Sequence, residues 1–135
     1  MMQDADDVRK RYDAAKEVSD WFWRVIADAR RDSSIFTGLT DQELINFANE
    51  MLDLKTYFSH APFHPPEDVF VSEDTLDRAG AWVISQGRDY FFGVWNTPTL
   101  FWSVITRHEY LQGSNYEFAA FHAWDERHGT DIPTI

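Results

Sequence analysis

At 135 residues the chain is long enough for one hydrophobic core and too short for two ordinary domains. Hydrophobic residues make up 44 % and charged residues 26 %, and 6 Trp, 5 Tyr and 11 Phe add large apolar area, which argues against disorder except at the ends. With 12 basic and 23 acidic residues the net charge is −11, so a phosphate backbone would be repelled and nucleic acid is not an expected partner.

The chain has no cysteine, which removes disulfides, thiolate metal sites and cysteine nucleophiles together and fits a reducing compartment. Its start, MMQDADDVRK, is acidic and lacks the charged-then-apolar order of a secretory signal. No uncharged apolar run approaches the ~18 residues that a membrane span needs. A cytoplasmic protein with no membrane partner is the expectation.

From Asp4 to about Arg31, Val8, Tyr12, Ala15, Val18, Phe22, Val25, Ile26 and Ala29 recur at spacings of three and four, one face of a long helix. Ser19 and Asp20 are good N-cap residues, so the alternative is two helices joined there, residues 1–19 being an extension and 20–133 the domain proper. Asp32 to Leu39 reads as a connection. Thr40-Asp-Gln-Glu43 is a capping box, opening a helix whose stripe is Leu44, Phe47, Ala48, Met51, Leu54 and Phe58.

Pro62, Pro65 and Pro66 exclude a regular helix between Ser59 and Asp68. The loop carries His60, His64, Glu67 and Asp68, but it lacks the i to i+4 helical spacing that would aim two imidazoles at one ion, so exposed loop histidines are expected rather than a metal site. Val69 to Val71 is the one short strand candidate.

Ser72 is a plausible N-cap for a helix over Glu73 to Gln86, with Leu76, Ala79, Gly80, Val83 and Gly87 on one face. The small residues Ala79 and Gly80 would let another backbone approach closely, which marks a central packing helix. On the adjacent stripe lie Asp74, Arg78, Trp82, Ser85 and Gln86, where Asp74 and Arg78 are four apart and can pair. Gly87 breaks the chain before an aromatic helix, Arg88 to Trp95. Thr97 with Pro98 opens another, with Leu100, Phe101, Val104, Ile105 and His108 on its stripe. Ser114-Asn-Tyr-Glu117 reads as a second capping box, leading a last helix with Phe118, Ala120, Phe121 and Trp124 inside and Gly129 as its stop. The fold class is therefore all-α, a single-domain bundle of five or six helices.

Several of these segments resemble a bacterial family of all-helical domains of unknown function. The residues that carry the resemblance are Phe22-Trp23-Arg24-Val25-Ile26, the capped helix LTDQELINF, and SEDTL leading to Trp82-Val83-Ile84-Ser85-Gln86-Gly87-Arg88. A looser likeness lies in Asn96-Thr97-Pro98-Thr99-Leu100 and the C-terminal HAWDERHGTDIP, so that residues 20–133 are covered. The chain departs from the family pattern between Tyr57 and Val71, where a proline-bearing loop replaces an alanine-rich helical segment, and at Leu76 and Ala79, which replace larger aromatics. The resemblance implies a compact helical fold and no established activity.

Two functional readings follow. The first is a non-enzymatic acidic interaction or regulatory module, of the kind an immunity protein exemplifies, that binds a basic protein partner. The second is a small-ligand binder or enzyme using Asp74, Arg78, Trp82 and Gln86, with Arg88 beside them; against it stands a purely structural Asp74–Arg78 pair around a core Trp82. On the last helix His122, Asp125, Glu126 and His128 lie close in sequence without the His-Glu-x-x-His spacing of zinc enzymes. No nucleophile elbow, phosphate loop or dinucleotide motif is present, so no cofactor is expected. Trp21, Phe91, Phe92 or Trp95, if exposed, would form a homodimer contact.

Overall fold

The computed structural model describes residues 19–59, 63, 71–113 and 115–133. Six α-helices are described: α1 Asp20–Arg31, α2 Asp41–Thr56, α3 Glu73–Ser85, α4 Arg88–Asn96, α5 Thr99–Thr106 and α6 Tyr116–His128. Three short 3-10 turns join them, Ser33–Gly38, Tyr57–Ser59 and Glu109–Leu111, and no strand occurs among the described residues. The fold is a single all-α domain. The short-strand reading fails at Val71, which is not in a strand, while residues 69 and 70 lie outside the described residues.

Local chemistry sets most of the helix starts. Ser19 accepts the Phe22 N–H in its hydroxyl, so α1 begins at Asp20; residues 1–18, where the longer helix and the N-terminal extension are expected, lie outside the described residues. At α2 the capping box closes in both directions, Thr40 Oγ1 accepting from the Glu43 N–H at 3.1 Å and Glu43 Oε1 from the Thr40 N–H at 2.9 Å. Ser72 caps α3 through the Thr75 N–H. Gly87 stands between α3 and α4 at φ 111°, a conformation open to glycine at no steric cost, and its carbonyl accepts the Phe91 N–H. Gly129 ends α6 in the left-handed region at φ 65°.

The N-cap of the last helix stands one residue later than the second predicted capping box places it. Asn115 is the N-cap of α6, its side-chain oxygen accepting from the Glu117 and Phe118 N–H groups, and Ser114 lies outside the described residues. The Glu117 carboxylate is thereby free to turn inward. The connection over Asp32 to Leu39 also holds more order than expected: Asp32 caps a 3-10 turn that buries Phe36.

The core is largely aromatic. Phe22 stacks on Phe47 at 4.9 Å between ring centres, and Phe58 stacks on Phe101 at 4.6 Å. Phe63 and Trp95 close around the second pair, and Trp102 Nε1 holds Phe63 in place by donating to its carbonyl at 2.9 Å. Such pairs contribute about 0.5–1.5 kcal/mol each beyond their buried area. Every member of the expected α2 stripe is buried.

α3 is the packing axis, touching α2, α4, α5 and α6. At Gly80 a methyl group would sit 3.1 Å from Phe58 Cδ2 and 3.2 Å from Lys55 Cβ, so the small residue is what lets α3 lie close on α2.

Several expectations about which residues face the core are corrected. Leu100 is exposed, and His108 lies beyond the end of α5 with left-handed backbone, because eight residues give room for one inward row, Phe101, Val104 and Ile105. On α6, Phe118 and Phe121 face outward, and the inward row is Tyr116, Glu117, Ala120, Ala123 and Trp124. Phe91 and Trp95 are buried in the aromatic cluster and cannot form an exposed homodimer patch, while Trp21 and Phe92 are partly covered. Gly87 has left the α3 face at the helix end.

Candidate functional site

The stripe singled out on α3 is distributed over several separate contacts. Trp82 is buried; its Nε1–H donates to the Gln112 carbonyl at 2.6 Å, and Tyr90 meets its ring edge-on at 5.7 Å. Gln86 closes the helix end, with Nε2 donating to the Trp82 carbonyl at 3.0 Å and Oε1 accepting from Arg30 at 3.2 Å. The Arg78 guanidinium lies 5.8 Å from the centre of the Tyr110 ring. Arg88 stands 4.0 Å from Asp20 and 5.9 Å from the Phe92 ring.

The expected Asp74–Arg78 pair is not made: among the described residues Asp74 is exposed and meets no cation. An exposed i, i+4 pair contributes only about 0.3–0.5 kcal/mol, which a cation–π contact of about 0.5–1 kcal/mol outweighs. The stripe thus fastens α3 to α1 through Arg30 and to the turn at 109–112 through Tyr110 and Gln112. Among the described residues, the one member with an unengaged charge is Asp74.

A second polar group is buried between α2, α3 and α6. Lys55 is 7 % exposed and Glu117 4 % exposed, and Lys55 Nζ lies 2.5 Å from Glu117 Oε2 and 2.9 Å from the half-exposed Asp77. Burial pushes the Glu117 carboxyl above its ordinary value of 4.5, against the lowering effect of the Lys55 hydrogen bond and charge. Beside it Ser85 Oγ donates to the Ala81 carbonyl at 2.8 Å and accepts the Tyr116 N–H at 3.0 Å. A small open cleft lined by Thr56, Glu73, Leu76 and Asp77 lies next to Asp77. The group is a fastening of three helices with no unsatisfied buried side-chain atom among the described residues. Sequence carried a signal for Lys55, which falls on the apolar row Ala48, Met51, Phe58 at helical spacing.

The third group lies at the C-terminal end of α6. Arg127 reaches across to the start of α2, donating to Asp41 at 3.0 Å and to the carbonyls of Thr37 at 2.9 Å and Leu39 at 2.5 Å. His128 Nε2 is 3.0 Å from the other Asp41 oxygen. Hydrogen bonds from His128, then Arg127, hold the Asp41 carboxyl below its usual range. Both basic residues of the last turn are therefore directed at α2.

The outward face of α6 is different. Phe118, Phe121, His122 and Asp125 follow one another at spacings of three, one and three, a single outward row, with Glu126 beside it. Phe118 is 51 % and Phe121 36 % exposed. An open cleft of about 550 Å³ lies alongside, lined by Phe121, His122, Asp125, Thr130, Asp131 and Ile132. His122 is 2.8 Å from Glu126, while Asp125 and Asp131 meet no cation among the described residues. No three metal-ligating side chains converge among the described residues, and His60, His64, Glu67 and Asp68 lie outside them.

Comparison with protein-family models, with curated proteins and with solved structures finds no match to this chain. No described helix is long and apolar enough to cross a membrane.

Proposed function

We propose that this chain is a non-enzymatic acidic interaction module that docks on a basic protein partner. The observation that carries this reading is how the cations are used. Among the described residues Lys55 is buried against Glu117 and Asp77, Arg127 is turned onto α2, Arg31 and Arg88 face Asp28 and Asp20, and Arg30 and Arg78 are turned onto Gln86 and Tyr110, while Arg24 and Arg107 stand exposed. Among the described residues the exposed carboxylates Asp74, Asp125 and Asp131 meet no cation, and the whole chain carries a net charge of −11. A surface of that kind steers a basic partner and repels nucleic acid.

The alternative, a ligand or catalytic site built on Asp74, Arg78, Trp82, Gln86 and Arg88, has less support, because four of the five side chains are engaged in helix-to-helix or helix-to-turn contacts. Cytoplasmic action is part of the proposal, resting on the absence of cysteine. So is membership of the bacterial helical family that the Trp82 to Arg88 segment resembles.

The test is fluorescence anisotropy of a labelled oligolysine peptide titrated with the full chain, at low salt and at about 0.3 M salt, where exposed charges are screened beyond a few ångström. Saturable binding that falls steeply with salt is expected, with no binding of an oligoglutamate control. Absence of oligolysine binding at low salt would sink the reading.

A further inference from the structure

The outward face of α6 joins an apolar end to an acidic one. Phe118 and Phe121 lie exposed one turn apart, and the same row continues into His122 and Asp125. A further carboxylate flanks that end, Asp131 across the cleft that Ile132 also lines, while Glu126 is held by His122 at 2.8 Å. The C-terminal end of a helix also carries the negative end of its dipole, which adds to the carboxylates. The basic residues of the last turn, Arg127 and His128, are both engaged with Asp41 at the start of α2.

From this arrangement we propose that the α6 face and its cleft form the docking site for a short basic amphipathic peptide segment of a partner protein. An aliphatic or aromatic side chain of the segment lies against Phe118 and Phe121, and lysine or arginine side chains beside it reach Asp125 and Asp131. This deepens the acidic-module reading and rests on it. Charge complementarity selects the occupant: a purely apolar segment would leave Asp125 and Asp131 desolvated without partners, and an acidic one would be repelled. A second copy of the chain brings the same negative face and is disfavoured on the same ground.

The apolar pair is what distinguishes this site from a general acidic surface. Covering a phenylalanine that is about half exposed removes enough apolar area to strengthen binding by about tenfold. A peptide alternating lysine and leucine is therefore expected to bind the full chain about tenfold more tightly than oligolysine of equal charge.

Both peptides are titrated against wild type and two surface variants, with sedimentation velocity run on each protein alone. Phe118→Ser/Phe121→Ser is expected to bring the lysine–leucine peptide down to the oligolysine affinity and to leave oligolysine unchanged. Asp125→Asn/Asp131→Asn is expected to weaken both peptides. If both peptides bind wild type equally, or the phenylalanine variant loses nothing, the α6 site is wrong while the acidic-module reading survives. If neither peptide binds at low salt, that reading fails and the site with it. Concentration-dependent dimerisation abolished by Phe118→Ser/Phe121→Ser would give the face to a second copy and overturn the proposal. Both variants alter exposed side chains, and circular dichroism verifies that they fold.

Discussion

Replacing Lys55 by methionine tests the fastening of α2, α3 and α6. The substitution keeps most of the apolar stem and removes the ammonium 2.5 Å from Glu117. Glu117 is 4 % exposed, so its carboxylate would be left in a desolvated site with only Asp77, another acid, nearby. Breaking a buried pair by removing one partner costs about 3–5 kcal/mol. For a chain of this length that corresponds to a fall in Tm of about 10–20 °C. Glu117 is already raised above 4.5 by burial, and loss of Lys55 raises it further. A carboxyl raised on folding stabilises the folded state below its unfolded value, and that contribution is lost as pH rises through the folded one. The deficit of Lys55→Met should therefore be largest at neutral pH and shrink as pH falls towards 4.5. Urea denaturation of both proteins across that range measures it. The double variant Lys55→Met/Glu117→Leu should regain most of the loss, because an apolar pair carries no desolvation cost. A deficit independent of pH, or a double variant no better than the single one, would refute the electrostatic account and leave only packing.

Two glycines in helices predict opposite signs. Gly80→Ala should destabilise by about 1–2 kcal/mol through overpacking, since Phe58 is fully buried and stacked and Lys55 Cβ is part of α2. Gly93→Ala, where nothing lies within 4 Å of the added methyl, should stabilise by about 0.5–1 kcal/mol in the same denaturation assay. Ser85→Ala should cost about 1–3 kcal/mol, because the buried Tyr116 N–H loses its acceptor. Asp41→Asn should lower stability at neutral pH. Since the Asp41 carboxyl is lowered on folding, the gap to wild type should be complete above 3.8 and close as pH falls through the lower folded value, as measured by thermal melts.

Much of the fold was legible because its signals were local. Thr40 with Glu43, Ser72, and Gly129 act through bonds within a turn, and the α2 stripe has one unambiguous face. Gly80 was readable as a close approach because a glycine inside a helix otherwise costs stability. The last helix was harder. Its apolar residues surround the axis, so spacing alone favours the large Phe118 and Phe121 over the small Ala120 and Ala123 that face the core. Ser114 and Asn115 are both good caps, and the choice between them is made by Ser85 and Lys55, which draw in Tyr116 and Glu117 from distant parts of the sequence. The two candidate sites differ in the same way: the α3 stripe is visible within one helix, whereas the outward row of α6 is meaningful only once its inward row is known.

The most direct test of the account is to follow backbone amide shifts of the full chain by NMR during titration with the lysine–leucine peptide at low salt. The account predicts that the perturbed amides cluster around Phe118, Phe121, Asp125 and Asp131. A cluster around Asp74, Arg78 and Trp82, or no saturable change anywhere, would contradict it.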